Sequence, residues 1–115
     1  MDLIPDDIRE ALLANTDRIE ADSSFDPEPV VKLFTPDAGA TWLMTRAEPN
    51  GDDLVLYGLS DLGLGCPEFG PTLLSELTAY RGIFGLPVER DLFFEPHQPI
   101  SRYFSQAIAA GSLHA

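Results

Sequence analysis

The chain has 115 residues, of which 44% are apolar, and its 19 acidic side chains outnumber the 7 basic ones, for a formal net charge of −12. A chain of this length has the size of one domain and can bury a core without disulfides or metals. The charge argues against direct binding of nucleic acid or of anionic membranes, because both are dense polyanions. It suits a basic protein partner, although the same charge also keeps a small protein soluble.

The only cysteine is Cys66, so no internal disulfide can form. The N-terminal sequence MDLIPDDIRE lacks the basic flank and apolar run of a signal peptide. No apolar stretch approaches the ~20 residues that a membrane span needs. We therefore expect a bacterial-type cytoplasmic protein that does not contact a membrane.

The segment IPDDIREALLANT, residues 4–16, predicts a first helix. A proline suits the first helical position, and the two aspartates after it suit the positive end of the helix dipole. At about 100° per residue, one side of this helix collects Ile4, Ile8, Ala11, Leu12 and Asn15. We expect this side to face the core.

The opposite side of the helix and the loop after it are strongly acidic. Residues 1–29 contain nine acidic side chains and two arginines, whereas the remaining 86 residues contain ten acidic side chains and five basic ones. We expect an electrostatic contact surface for a basic partner here, formed by Asp6, Glu10 and Asp17 on the helix and by Asp22 and Asp26 in the loop.

Three segments predict strands of one antiparallel sheet: VVKLFT (30–35), ATWLMTR (40–46) and LVLYGLS (54–60). The first alternates with a period of two, and the others are rich in strand-forming residues. Asn50-Gly51 between the second and third is typical of a tight hairpin turn. The three strands are therefore predicted to form a meander.

The second half predicts two more helices and one more strand. PTLLSELTAYRG (71–82) predicts a helix that a glycine ends, LFFE (92–95) a short strand, and HQPISRYFSQAIAAG (97–111) a last helix. The expected fold class is α+β, with a small antiparallel sheet, made of a three-stranded meander plus one further short strand, packed against two or three helices.

This organisation predicts a single domain over residues 1–115. Its parts are an acidic N-terminal helix and loop (1–29), a sheet-containing core (30–96) and a C-terminal helix (97–111). The aromatic residues expected in the core of the sheet are Trp42, Phe34, Tyr57 and either Phe93 or Phe94.

The stretch SDLGLGCPEFG (60–70) has the composition of a ligand-binding loop. A Walker-type phosphate loop needs a lysine followed by serine or threonine, and the only lysine of the chain is Lys32. Prolines interrupt the partial match to the dinucleotide-binding pattern. A turn between strands with glycines at positive φ explains the stretch without a ligand, so no cofactor is expected.

Cys66 is a candidate nucleophile only if a base lies within reach. The histidines are His97, in a proline-flanked loop, and His114, next to the C-terminus. A Cys66–His97 dyad is conceivable, but a small buried structural cysteine is the favoured interpretation. One cysteine and two histidines are too few for a closed zinc site, so no metal is expected.

Four carboxylates offer an alternative, catalytic interpretation. Asp61 and Glu68 flank the glycine-rich stretch, and Glu89 and Asp91 flank Arg90. Such groups can act as an acid–base pair or as oxygen ligands of a cation.

In so acidic a chain, carboxylates also lie close together by chance. The favoured interpretation is therefore structural: Arg90 is expected to form an ion pair with Glu76 or Glu68 inside the fold.

Three stretches, VKLFTPDAGATWLMTR, LYGLSDLGLGCPEFG and LSELTAYRGIFGLPVERDLFFEP, resemble a small single-domain family of unknown function. The resemblance covers about residues 30–96 and is strongest at GLPVERDLFFEP, Gly85 through Pro96. It implies a gene carried by conjugative plasmids and integrative elements of proteobacteria, among accessory and anti-restriction genes. It implies no catalytic residue, and the N-terminal segment looks longer and more acidic than the resemblance leads one to expect.

Two functions therefore remain. The first is a non-enzymatic accessory protein of a mobile element, a mimic of DNA charge that blocks a basic, nucleic-acid-binding surface of a restriction or CRISPR complex. The second is a small hydrolase or metal-dependent enzyme that uses Asp61, Glu68, Glu89 or Asp91.

Overall fold

The computed structural model describes all residues, Met1–Ala115. Its elements are α1 (Asp6–Ala21), β1 (Val31–Phe34), β2 (Thr41–Asn50), β3 (Asp53–Asp61), β4 (Glu68–Leu73), α2 (Leu74–Ala79), β5 (Glu89–Arg90) and α3 (Ile100–Ala110). The strands form one antiparallel sheet in the order β4-β3-β2-β1-β5. None of the helices is both long enough and apolar enough to cross a bilayer.

The predicted α+β class and the meander are confirmed. In β1 the side chains of Val31 and Leu33 are buried while Lys32 and Phe34 are half-buried on the other side, as a period of two requires. The β2–β3 hairpin turns at Asn50-Gly51, with Asn50 paired to Asp53. The sheet has five strands rather than four, because the meander continues into β4 and β5 adds to the free edge of β1.

Helices cover both faces of the sheet. On one face, α1, α2 and the N-terminal residues bury a cluster that includes Leu12, Trp42, Met44, Leu56 and Leu77. On the other face, α3 packs against the sheet in a second cluster with Leu43, Leu59, Ile100, Tyr103 and Ala107. This arrangement follows from the strand period, because neighbours such as Trp42 and Leu43 point to opposite faces.

A β-bulge at Thr45 is the place where α1 joins the sheet. The register of β2 against β3 shifts between Met44 and Arg46, which leaves Thr45 as the extra residue. The side-chain amide of Asn15 donates to the Thr45 carbonyl at 2.8 Å, and the hydroxyl of Thr16 donates to the Ala47 carbonyl at 2.6 Å. The inward side of α1 therefore supplies donors to backbone carbonyls of β2.

The helix predicted over 71–82 is wrong at both ends, since α2 covers only Leu74–Ala79. Glu68–Leu73 pairs with β3 as an edge strand, so α2 begins only at Leu74. Gly70 and Pro71 hide this strand in the sequence, because both residues normally weaken a strand. An edge position tolerates the proline, since its missing N–H can face away from the sheet.

The strand predicted over 92–95 is also wrong. The pairing with β1 involves Glu89 and Arg90 only. The Asp91 carboxylate accepts the Phe93 N–H at 2.9 Å, which turns the chain immediately after β5. Of the two alternatives for a core aromatic here, Phe93 is 92% exposed, whereas Phe94 packs partly under α3.

Candidate functional site

Three loops meet at one end of the sheet, which we call the loop end: residues 35–40, 62–67 and 81–87. The register that aligns Phe34, Thr41 and Asp61 places the first two loops side by side. A Cβ at Gly63, whose φ is +79°, would lie 3.3 Å from the Gly39 carbonyl oxygen, so these loops touch. Gly63 and Gly65 have positive φ in the turn from β3 to β4, as the turn interpretation of the glycine-rich stretch predicts.

Asp37 holds the third loop. Its Oδ2 accepts the backbone N–H of Phe84 at 2.7 Å and that of Leu86 at 3.1 Å, while its Oδ1 is buried without a hydrogen-bond partner. The carboxylate lies against Gly82, where a Cβ would come within 1.7 Å of Oδ1. The 81–87 loop can take this position only because residue 82 has no side chain.

Large apolar side chains are concentrated on and beside the loop end. Of the eleven exposed ones in the chain, nine lie between residues 62 and 93, and the other two are Met1 and Ile108. Leu64, Ile83 and Phe84 are 78%, 78% and 83% exposed. Single exposed apolar side chains are ordinary on a protein surface, but their concentration in adjoining loops is typical of an interaction site.

A groove of about 410 Å³ lies beside the loop end, between β4 and α2, and we call it the β4–α2 groove. Trp42 and Tyr80 form its aromatic wall, with ring centroids 5.9 Å apart and an edge-on angle of 76°. Two exposed carboxylates, Glu68 and Glu76, also line it. Leu62 belongs to both the groove and the loop end, so the two surfaces are continuous.

The acidic residues predicted on α1 lie on its outward side. Asp6, Glu10 and Asp17 are exposed, and no side-chain hydrogen bond or salt bridge within the chain engages them. Asp22 instead accepts the hydroxyl and N–H of Ser24, and these hydrogen bonds lower the pKa of its carboxyl.

Asp26 has a structural contact. Its carboxylate accepts the N–H and hydroxyl of Ser101 in the first turn of α3. This contact connects the acidic loop to α3 and satisfies a donor that the helix itself leaves free.

The four carboxylates of the catalytic interpretation do not converge. Asp61 is buried and accepts the N–H groups of Gly63 and Leu113, both at 2.8 Å. Glu89 lies three strand spacings away across the sheet, about 14 Å. No three histidine, cysteine or carboxylate side chains are grouped in a way that could hold a metal ion.

Glu89 and Asp91 line a shallow depression of about 530 Å³ at the β5 edge together with Lys32 and Arg90. Lys32 is already paired there, since its Nζ lies 3.6 Å from Asp91 and donates to the Ala115 carbonyl at 2.9 Å. Two acids and two bases leave this depression close to neutral.

The predicted ion pair of Arg90 with Glu68 or Glu76 is wrong. Arg90 lies on β5 and Glu68 on β4, which are the opposite edges of the sheet. The guanidinium of Arg90 donates instead to the Asp2 carbonyl at 2.6 Å, which ties the N-terminal residues to β5. Sequence proximity to acids gave no information about which edge each strand occupies.

The prediction of a buried Cys66 is also wrong, because this residue is exposed in the loop between β3 and β4. His97, its suggested base, shares a hydrogen bond of 2.9 Å between its Nδ1 and the Tyr103 hydroxyl. Pro67, the residue after Cys66, is the buried residue of this loop.

Sequence reasoning missed the residues that shape the loop end, above all Asp37 and the exposed tip Ile83-Phe84. The only signal was the pair of glycines, Gly82 and Gly85, around two apolar residues. That pattern indicates a tight turn whose two apolar tip residues are exposed.

The family described as "Protein of unknown function (DUF2958)" matches residues 3–114. The chain belongs to this family. The DUF2958 match begins before α1, so the acidic N-terminal helix is part of the family's domain and not an addition to it. No curated protein and no solved structure matches the chain.

Proposed function

We propose that this DUF2958 protein is a non-enzymatic binding protein that docks on a basic protein through its loop end. The observation that carries the proposal is the concentration of exposed apolar side chains in two of the three adjoining loops, 62–67 and 81–87. Contacts within the chain fix two of these loops, through Asp37 and through the close approach of Gly39 and Gly63. A surface that is already ordered loses little conformational entropy when it binds.

The charge supports a basic partner. The chain carries a net charge of −12, and Asp6, Glu10 and Asp17 are exposed without partners in the chain. In this proposal the apolar loops supply affinity, whereas the acidic helix accelerates encounter by electrostatic attraction. The Debye length of about 8 Å at physiological ionic strength limits this attraction to short range, so the association is salt-sensitive.

The sequence resemblance to genes of mobile elements gives the partner class to test first. A basic surface that normally holds nucleic acid, as in a restriction or CRISPR complex, combines the positive charge that this protein would attract with a host-defence role. The acidic side of α1 would then occupy the position of phosphate groups.

The test is affinity capture with the intact protein, compared across three variants at two salt concentrations. We expect Leu64→Ser/Phe84→Ser to lose the captured partner at both salts. We expect Asp6→Lys/Glu10→Lys/Asp17→Lys to lose it mainly through a slower on-rate. The matched control is Ile108→Ser, which removes an exposed apolar side chain on α3. Capture that survives both the loop-end and the α1 variants would contradict the proposal.

A further inference from the structure

The β4–α2 groove combines an aromatic wall with a row of side chains that point to one face of the sheet. Trp42 pairs with Ser60, and Ser60 pairs with Glu68, so these three residues lie in one cross-strand row. Gly70, two residues after Glu68, points to the same face, and a Cβ there would meet nothing within 4 Å. The groove is therefore open where the sequence has no side chain.

The groove has negative charge that the chain leaves uncompensated. Neither Glu68 nor Glu76 takes part in a salt bridge, since the two salt bridges of the chain are Lys32–Asp91 and Arg46–Glu48. No lysine or arginine lines the groove. The nearest base in sequence, Arg81, donates to the carbonyls of Thr78 and Tyr80 and lines a different depression.

Carboxylates beside an aromatic face recognise organic cations. A guanidinium or ammonium group gains charge-assisted hydrogen bonds from carboxylates and a cation–π attraction from an aromatic ring. Tyr80 offers such a ring, because it is 41% exposed while its neighbour Trp42 is almost fully buried behind it. The chemistry of this groove therefore matches a basic side chain.

We propose that the β4–α2 groove binds a lysine or arginine side chain of the protein partner. This inference rests on the proposed function and specifies a basic side chain of the partner at the position that faces the groove. Capture occurs through the side chain and not through an added strand, because Pro71 removes a backbone donor in the middle of β4. Leu62, shared with the loop end, places the captured cation beside the apolar contact.

Trp42 is the only tryptophan of the chain and lines the groove, so its fluorescence reports on the site. The probe is a peptide of alternating arginine and glycine, and the neutral comparison is alternating glutamine and glycine. We expect the arginine peptide to change Trp42 emission in a saturable, salt-sensitive way and the neutral peptide to leave it unchanged.

Three variants locate the binding. Glu68→Gln/Glu76→Gln removes the charge of the groove, and Gly70→Val fills its open space without a close contact or a positive φ. Each should weaken peptide binding about tenfold or more, the first by loss of charge-assisted contacts and the second by excluding the bound side chain from the groove. Asp52→Asn/Glu95→Gln removes the same charge from exposed positions outside the groove, the loop end and α1, and should change the dissociation constant by less than about twofold. Thermal unfolding checks that each variant is folded.

Absence of saturable binding by the wild-type chain would overturn the inference. An equal effect of the control pair Asp52→Asn/Glu95→Gln, or an unchanged affinity of Gly70→Val, would also overturn it. These failures are separable from failure of the proposed function, because partner capture by the loop-end variants is measured independently. If capture depends on Leu64 and Phe84 but the arginine peptide does not bind in the groove, only the groove assignment falls.

Discussion

At each end of the sheet, one aspartate side chain accepts two backbone N–H groups, but the surroundings of the two carboxylates differ. At the hairpin end, Asp53 accepts the N–H of Leu54 at 2.8 Å and the N–H of Ser75 at 3.1 Å, which joins the β2–β3 turn to the start of α2. At the loop end, Asp37 likewise accepts two backbone N–H groups. The difference lies in the second oxygen of each carboxylate: that of Asp53 accepts the hydroxyl of Ser75, whereas that of Asp37 is buried without a partner.

The two aspartates differ in the kind of segment that each one holds in place. Both oxygens of Asp53 have partners, and its hydrogen bonds replace those that water would otherwise supply, so their net contribution to stability is modest. Asp37 holds a loop whose tip, Ile83-Phe84, is apolar and gains nothing from exposure. A buried oxygen without a partner costs stability, and such a cost is typical of a site that serves binding.

Gly82→Ala is expected to have the largest effect. The added Cβ would come within 1.7 Å of Asp37 Oδ1 and within 2.4 Å of its carboxyl carbon, so the carboxylate must leave its position. We expect the free energy of unfolding to fall by about 3 kcal/mol. Urea denaturation measures this loss, and Gly70→Ala, which meets open space, is the matched control. Equal midpoints for the two variants would contradict the contact.

Asp37→Ala should have a smaller effect than Gly82→Ala, because it removes the two hydrogen bonds without introducing a collision. We expect a loss of about 2 kcal/mol in the free energy of unfolding, since two backbone N–H groups lose their acceptor. Asp52→Ala, at the exposed hairpin turn, is the control and should change stability by less than about 0.5 kcal/mol. In hydrogen exchange, the amides of Phe84 and Leu86 should lose protection. Protection that persists would show that another group holds the loop.

Asp53 should make stability depend on pH at the hairpin end. The hydroxyl of Ser75 and the N–H of Leu54 lower the pKa of the Asp53 carboxyl, so the folded state prefers the ionised form. The stabilisation of the folded state by the ionised Asp53 carboxylate is present at neutral pH and is lost as the pH falls below about 4, when this carboxylate is protonated. Asp53→Asn should therefore flatten the acid side of the stability profile. A variant profile parallel to that of the wild type down to pH 2 would refute this.

Cys66 should show the smallest effect on stability. Because it is exposed, native protein should react with a maleimide without denaturant, and Cys66→Ser should shift the free energy of unfolding by less than about 0.5 kcal/mol. Slow labelling that needs urea would indicate that the loop between β3 and β4 is covered in solution.

The parts of the fold that the sequence predicts are those with a strong local signal. The alternation in β1 and the Asn50-Gly51 turn specify the meander, because a one-residue slip would expose the buried side. The strand Glu68–Leu73 has no such signal, since Gly70 and Pro71 are acceptable only at an edge. Its place in the sheet depends on β3, and this partner is not visible in a local window.

The candidate site was less predictable for the same reason. The Asp37 carboxylate accepts the N–H groups of Phe84 and Leu86, which lie 47 and 49 residues further along the sequence. Composition also cannot tell an apolar residue of the core from one of a contact surface, so the sequence leaves Phe93 and Phe94 as alternatives for the core. The exposed acids of α1 were predictable, because helical periodicity specifies the side opposite the apolar stripe.

The hydrogen bonds from α1 to the bulge at Thr45 have a consequence for how this protein can be divided. Asn15 and Thr16 reach carbonyls 30 and 31 residues further along the chain, and no strand replaces these donors if the helix is removed. A fragment that begins at residue 30 would expose those carbonyls and the apolar face that Leu12 covers. The acidic helix thus cannot be removed without loss of the fold. Its exposed acidic residues can be substituted, but its inner side belongs to the same cooperative unit as the sheet.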